Sequence, residues 1–153
     1  MFVVFSTLPL PNMKPARERH YRLSDSEFSE QFAAGTLLPS LFSHEAHLRL
    51  AYIHIQRHGL KQAIENMNAQ ILAFAIANNA RDNFNRTVTT AAVYTMQHFM
   101  SRAQSQDFNS LLEEFPRLKT DFKGLLAAHY SGDIFRSKEA KANFLEPDLA
   151  PFT

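Results

Sequence analysis

The sequence predicts an all-α fold, a compact helical bundle in which shorter helices surround three long ones. The chain has 153 residues, of which 45% are hydrophobic and 20% charged, a globular balance with enough apolar material for a real core. Three long stretches repeat their apolar residues at three- and four-residue spacing, which is typical of a helix with one buried face. No internal repeat or linker divides the chain, so we expect a single helical domain over residues 1–153.

Residues 1–23 are expected to form a largely non-helical N-terminal extension. Phe2–Phe5 is interpreted as a short extended segment that lies on the body of the protein. Pro9, Pro11 and Pro15 then keep the chain out of helix, because each lacks a backbone donor and restricts the residue before it. The first helix is expected only after this extension.

Helix-capping residues predict where the first helices begin and end. Ser24 or Ser26 can cap a short helix that runs to about Ala34 and stops at Gly35. The first long helix is predicted between Ser43, as N-cap, and Gly59, as stop.

A second long helix is predicted over about Lys61–Asn78. Only Gly59 and its neighbours separate it from the preceding helix, so the two should form an antiparallel hairpin. Its buried stripe consists of Leu60, Ile64, Met67, Ile71, Phe74 and Ala75.

The remaining helices follow a polar connection over Asn78–Asn83. The third long helix begins at about Asn85 or Thr87 and ends near Arg102, with small residues at Ala91 and Ala92 that allow close approach or line a cavity. Shorter helices are predicted over Asp107–Glu114, Asp121–Tyr130 and Ser137–Asn143.

Composition excludes several classes of function. A net charge of +1 gives no global electrostatic case for nucleic acid, and the local basic run over Lys14–Arg22 is interpreted as a solvated segment. No run approaches the roughly 18 apolar residues of a membrane span, and Met1–Leu10 lacks the basic start of a signal peptide. The absence of cysteine excludes disulfides and thiolate chemistry, and it fits a reducing compartment. We therefore expect a cytoplasmic protein that binds neither nucleic acid nor membrane.

Histidines mark one face of the first long helix. A helix advances about 100° per residue, which places His44, His47, His54 and His58 within an arc of about 80°. Glu45, Arg49 and Gln56 fall on the opposite side and are expected to form its polar face. The histidines should therefore face the interior or a cleft in it.

Neutral imidazole can ligate a transition metal, act as an acid or base, or hydrogen-bond within a core. His44 and His47, three residues apart, are the only pair of the four that can reach one point, and they are the candidate metal ligands. His54 and His58 are assigned to packing. The third long helix would have to complete a site, and it offers Asn85, Arg86 and His98. These five residues, His44, His47, Asn85, Arg86 and His98, form the candidate ligand pocket.

The run Phe42–Ala51 resembles the opening helix of a widespread bacterial family of small, uncharacterised helical proteins. Its members read His-x-x-His-Leu here and close with a Tyr-Ser turn and a Glu-Pro-Asp-Leu tail, which this chain matches at His129–Ser131 and Glu146–Pro151. The resemblance covers about Phe28–Phe152. Family members carry Tyr-His-Glu-Thr at the start of a later helix, where this chain has Phe84–Thr87. The His-Glu pair that could complete a metal or proton-transfer site is therefore missing.

Three functional hypotheses remain open. The first is a binding or interaction module with a small pocket beside His44 and His47 that takes a small-molecule ligand. The alternative is an enzyme that uses this pair as metal ligands or as acid and base, with Arg86 as an anion anchor. In the third, the histidines are structural and the function lies in a partner surface. The sequence requires no cofactor, leaves room for a transition metal, and allows a homo-oligomer.

Overall fold

The computed structural model describes residues 17–153, and all regular structure within that range is helical. The all-α fold with three long helices is therefore confirmed. The extended segment expected over Phe2–Phe5 lies outside the described residues.

Eight α-helices follow one another along the described chain. They are α1 (Asp25–Ala34), α2 (His44–His58), α3 (Leu60–Ala77), α4 (Arg86–Arg102), α5 (Phe108–Glu114), α6 (Arg117–Thr120), α7 (Phe122–Ala127) and α8 (Lys138–Ala142). Short 3-10 turns occur at Arg19–Arg22, Pro39–Leu41 and Arg81–Asn83.

Helix ends fall where the capping residues predict them. Ser24 forms a capping box with Glu27 at the start of α1, and Gly35 ends that helix in the left-handed conformation, with φ of 75°. The Ser43 hydroxyl accepts a hydrogen bond from the Ala46 N–H at the start of α2. Each cap satisfies backbone groups that a helix end leaves without partners.

The three long helices form the centre of the bundle. α2 and α3 are joined through Gly59, and residues at similar distances from this glycine meet: Phe42 lies 5.3 Å from Phe74, ring centroid to ring centroid, and His54 Nδ1 lies 3.3 Å from Asn66 Nδ2. This pairing is that of the predicted antiparallel hairpin. The core between the long helices and α1 includes the fully buried side chains of Phe28, Phe32, Leu48, Leu50, Met67, Val93 and Met96.

A second, smaller apolar cluster attaches the C-terminal part of the chain to α4. Its buried members are Ala91, Leu126, Tyr130, Ile134 and Ala140. The Tyr130 hydroxyl donates to the Leu145 carbonyl at 2.7 Å, and the Ser131 N–H donates to the Asp148 carboxylate at 3.0 Å. The Tyr-Ser turn and the Glu-Pro-Asp-Leu tail therefore contact each other in the folded protein.

One helix boundary and one additional helix differ from the sequence prediction. The helix predicted over Asp121–Tyr130 ends at Ala127. Beyond this point the C-terminal tail supplies a hydrogen-bond partner, since the His129 carbonyl accepts from the Leu149 N–H at 3.0 Å. The short helix α6 was not predicted, since it is a single turn that Pro116 starts. No helix in residues 17–153 is long and apolar enough to cross a membrane.

Candidate functional site: the histidine face and a basic groove

His44 and His47 stand in the first turn of α2 in different environments. His44 is exposed, and its Nε2 lies 3.0 Å from the Leu118 carbonyl oxygen. A carbonyl can only accept a hydrogen bond, so Nε2 carries the proton and Nδ1 is the nitrogen left for a ligand. The His47 ring stacks on Phe42 at 5.5 Å between centroids, and its Nε2 is buried without a hydrogen-bond partner in the described structure.

Burial sets the charge state of His47. Removal from solvent lowers its pKa from 6.5 to about 4, with a smaller contribution from the neighbouring His44. The imidazole is therefore neutral at pH 7, which suits metal ligation. A base of such low pKa is poorly matched to proton abstraction near neutral pH.

The other two histidines of the face also separate. His54 is buried, its Nδ1 faces the Asn66 amide at 3.3 Å, and burial is the main cause that lowers its pKa. His58 is exposed at the end of α2, although its ring still lies 5.7 Å from that of His54. Only part of the histidine face therefore points inward.

Two of the three polar residues opposite the histidines on α2 are buried. Gln56 is exposed as expected, but Glu45 and Arg49 are only 6% and 5% exposed. The 3-10 turn Arg19–Arg22 covers them. The apolar periodicity of α2 could not predict their burial. It shows which residues of a helix are apolar, but not which other segments pack against the polar ones.

Arg49 fastens the turn to α2. Its guanidinium donates to the His20 and Leu23 carbonyls at 2.9 Å each and to the Asp25 carboxylate at 2.8 Å. It also lies over the Phe28 ring, with 4.7 Å from Cζ to the centroid. This one side chain holds three residues of the segment that leads into α1.

Beside Arg49, a cluster of Glu18, His20 and Glu45 brings three potential metal-ligand atoms within 4.8 Å of one another. The Glu18 carboxylate also accepts a hydrogen bond from the Ser43 hydroxyl. Lys119 Nζ forms an ion pair with Glu45 at 2.8 Å. Burial alone would raise the pKa of Glu45, but the hydrogen bonds it accepts outweigh burial and lower that pKa.

Hydrogen bonding around His20 argues against a metal ion in this cluster. Arg49 Nη1 lies 3.3 Å from His20 Nδ1, and a guanidinium can only donate, so Nδ1 is an acceptor. The ring proton is then on Nε2 and faces the Glu18 carboxylate at 3.0 Å. A metal-bound histidine normally shows the reverse pattern, with the lone pair on the metal and the other nitrogen donating. The cluster is a partly buried, hydrogen-bonded clasp that joins the chain at Glu18 and His20 to α2.

Asn85, one of the predicted pocket residues, has both ends of its amide engaged. Its Oδ1 accepts from the Val88 N–H at 2.9 Å as the N-cap of α4, and its Nδ2 donates to the Ile134 carbonyl at 2.7 Å. The residue connects α4 to the C-terminal cluster, and both contacts are structural.

His98 and Arg86 line two different cavities. His98 shares a cavity of about 240 Å³ with His129 and Phe152, and its Nδ1 lies 3.0 Å from the Thr153 backbone oxygen. Arg86, at the opposite end of α4, lines an open groove of about 590 Å³. The structure thus places Arg86 and His98 in different cavities, and neither of these cavities is lined by His44 or His47.

The groove at Arg86 is strongly basic. Its charged lining is Arg81, Arg86, Lys138, Lys141 and one carboxylate, Asp82. None of the four cations forms an ion pair with a carboxylate of residues 17–153, and residues 1–16 contain no Asp or Glu. The Arg86 guanidinium lies over the Phe84 ring, 5.4 Å from its centroid, while Leu72 and Ala142 supply apolar wall.

Sequence reasoning identified Arg86 but missed its three cationic neighbours. Arg81 belongs to the connection before α4, and Lys138 and Lys141 belong to α8, more than 50 positions away along the chain. The available signal was the i, i+3 spacing of the two lysines, which puts them on one face of their helix. No pattern in the sequence predicts that the face of α8 with Lys138 and Lys141 packs near the start of α4.

Comparison with family models, curated proteins and solved structures gives no match for this chain. The candidate site therefore rests on its own geometry.

Proposed function

We propose that this protein is a binding module for a small anion that carries more than one negative charge, with Arg86 as the principal anchor. The observation that carries the proposal is the basic groove, a cavity of about 590 Å³ that is lined by four cationic side chains and one carboxylate. A volume of this size is in the range of small-ligand sites, roughly 300–1,000 Å³.

The charge balance indicates what the groove binds. Four cations against one carboxylate leave an excess of three positive charges, and like charges brought together raise the free energy of the folded protein. A multivalent anion relieves this repulsion. Arginine grips carboxylate or phosphate with two parallel N–H donors, and lysine adds a point charge that tolerates either geometry.

The enzyme alternative has weaker support. It requires His44 and His47 to act as acid and base or as metal ligands beside Arg86. His47 has a pKa of about 4, far from the value near neutrality that favours proton transfer, and His44 has only Nδ1 left for a ligand. The binding role needs neither histidine. It assigns Arg86 the function that the sequence first suggested for it, that of an anion anchor.

Thermal unfolding in the presence of citrate and pyrophosphate tests the binding proposal. The variants are Arg86→Gln and, as a matched control at the other end of the same helix, Arg102→Gln; Arg102 is exposed and hydrogen-bonds the His98 carbonyl. At a ligand concentration of 100 Kd, we expect about 2.7 kcal/mol of stabilisation in the wild type and in Arg102→Gln, and little in Arg86→Gln. The effect should weaken as salt is added, because the groove is open to screening.

Two results would overturn the proposal. One is a wild type that neither anion stabilises at constant ionic strength. The other is an Arg86→Gln variant that folds and is stabilised as much as the control. Lys138→Gln/Lys141→Gln gives an independent check, because it removes two charges on α8 and leaves the start of α4 intact.

A further inference from the structure

A second cavity adjoins the basic groove at the 3-10 turn Arg81–Asn83. It has a volume of about 510 Å³, and Arg81 and Asp82 line both cavities. Its remaining walls are Ile76, Asn79, Ala80 and Asn83. The two cavities are therefore neighbours, with an excess of cations at Arg86 and α8 (the cationic end) and, at the close of α3, two amides beside the shared Arg81 and Asp82 (the polar end).

The polar end offers groups that suit hydroxyls. The side chains of Asn79, Asp82 and Asn83 make no hydrogen bond to another side chain or backbone group within residues 17–153. An amide both donates and accepts, and a carboxylate accepts twice or more. Together they match alcohol groups, each of which is a donor and an acceptor at once.

We propose that the ligand of this site is a phosphoester of a polyhydroxylated compound, a sugar phosphate in the broad sense; this inference rests on the proposed function and specifies its ligand. The phosphate lies among Arg86, Lys138 and Lys141, where the fork of the arginine and the two ammonium groups meet its oxygens. The hydroxylated body extends past Arg81 towards Asn79 and Asp82.

Other anions fit only one end. A polycarboxylate that filled both cavities would bring negative charge against Asp82, which is unfavourable. Inorganic phosphate would occupy the cationic end and leave the amides of Asn79 and Asn83 to water. A hydroxylated phosphoester is the simplest class that satisfies both ends at once.

Titration calorimetry with inorganic phosphate, ribose 5-phosphate and ribose tests the inference in the intact protein. Because the phosphate and its ester carry similar charge, their difference reports the hydroxylated body. We expect ribose 5-phosphate to bind about tenfold more tightly than phosphate, which corresponds to one or two net hydrogen bonds, and ribose alone to show no measurable binding.

Two variants locate the gain at the polar end. Asn79 has a positive φ of 56°, so Asn79→Gly removes the amide while it permits the same backbone conformation. Asn83→Ala removes the second amide, and Asn109→Ala on α5 is the matched control. Both site variants should lose most of the tenfold preference and keep the affinity for phosphate.

The outcomes separate this inference from the proposal on which it rests. If ribose 5-phosphate binds no more tightly than phosphate, or if both amide variants retain the full preference, the sugar-phosphate assignment is refuted while the anion groove stands. If neither phosphate nor its ester binds, the anion-binding function fails together with the assignment.

Discussion

The half-buried imidazole of His47, whose Nε2 is shielded from solvent, makes the stability of the protein depend on pH in a defined direction. In the unfolded chain the group titrates near its ordinary pKa of 6.5, whereas burial lowers the folded pKa to about 4. Between these pH values the unfolded state binds a proton at His47 that the folded state does not bind. The free energy of unfolding should therefore be highest above pH 6.5 and fall as the pH drops towards 4.

The size of the effect follows from the shift. Each unit of pKa difference corresponds to about 1.4 kcal/mol, so at pH 4.5 the titration of His47 should cost about 2.5 kcal/mol relative to pH 7. His47→Leu removes the titration and puts an apolar group where Nε2 is buried without a partner. At pH 7 this variant should lie within about 1 kcal/mol of the wild type, because no hydrogen bond of that nitrogen is lost.

Urea unfolding followed by circular dichroism at pH 7, 5.5 and 4.5 measures these differences. The control is His58→Leu, which removes an exposed imidazole from the same helix. On acidification the wild type and the control should lose about 2.5 kcal/mol more than His47→Leu. Parallel pH profiles for His47→Leu and the wild type would show that His47 is not protected from protonation as its burial indicates.

Two further predictions concern residues that join segments distant along the chain. Arg49→Met should destabilise the protein by about 2–4 kcal/mol in urea unfolding, because the Leu23 carbonyl loses its donor and the His20 carbonyl loses one of two; a loss no larger than that of Arg57→Met, on an exposed arginine of the same helix, would contradict the role of Arg49 in fastening the turn. Asn85→Ala should cost about 2–4 kcal/mol, from the N-cap and the Ile134 carbonyl together, whereas Asn85→Ser keeps the cap and should cost less; equal losses in the two variants would show that the cap contributes nothing.

The candidate site could be predicted from the sequence only where its residues belong to one helix. His44 and His47 are neighbours on α2 because of their spacing, although one ring contacts Leu118 and the other stacks on Phe42. Arg86 was identified from its position at the start of α4, but the groove that it lines also needs α8 and the turn at Arg81. The clasp of Glu18, His20 and Glu45 was missed altogether, since Glu45 and His20 lie on separate elements.

Local chemistry in the sequence determined the helices. Capping by Ser24, Ser43 and Asn85, together with the apolar spacing between them, is decided within a few residues and can be recognised in a linear chain. The antiparallel pairing of α2 and α3 followed from the single residue Gly59, because so short a connection leaves no other arrangement.

Only the tertiary structure decided what covers each helix and which charges meet. Arg49 and Lys141 look alike in the sequence, as cations on amphipathic helices, yet one is buried among carbonyls and the other faces an open groove. The difference arises because groups from elsewhere in the chain surround and stabilise the charge of Arg49. Within residues 17–153 no such groups cover Lys141, whose charge stays accessible to a ligand. Those contacts depend on the packing of whole elements, which no local pattern records.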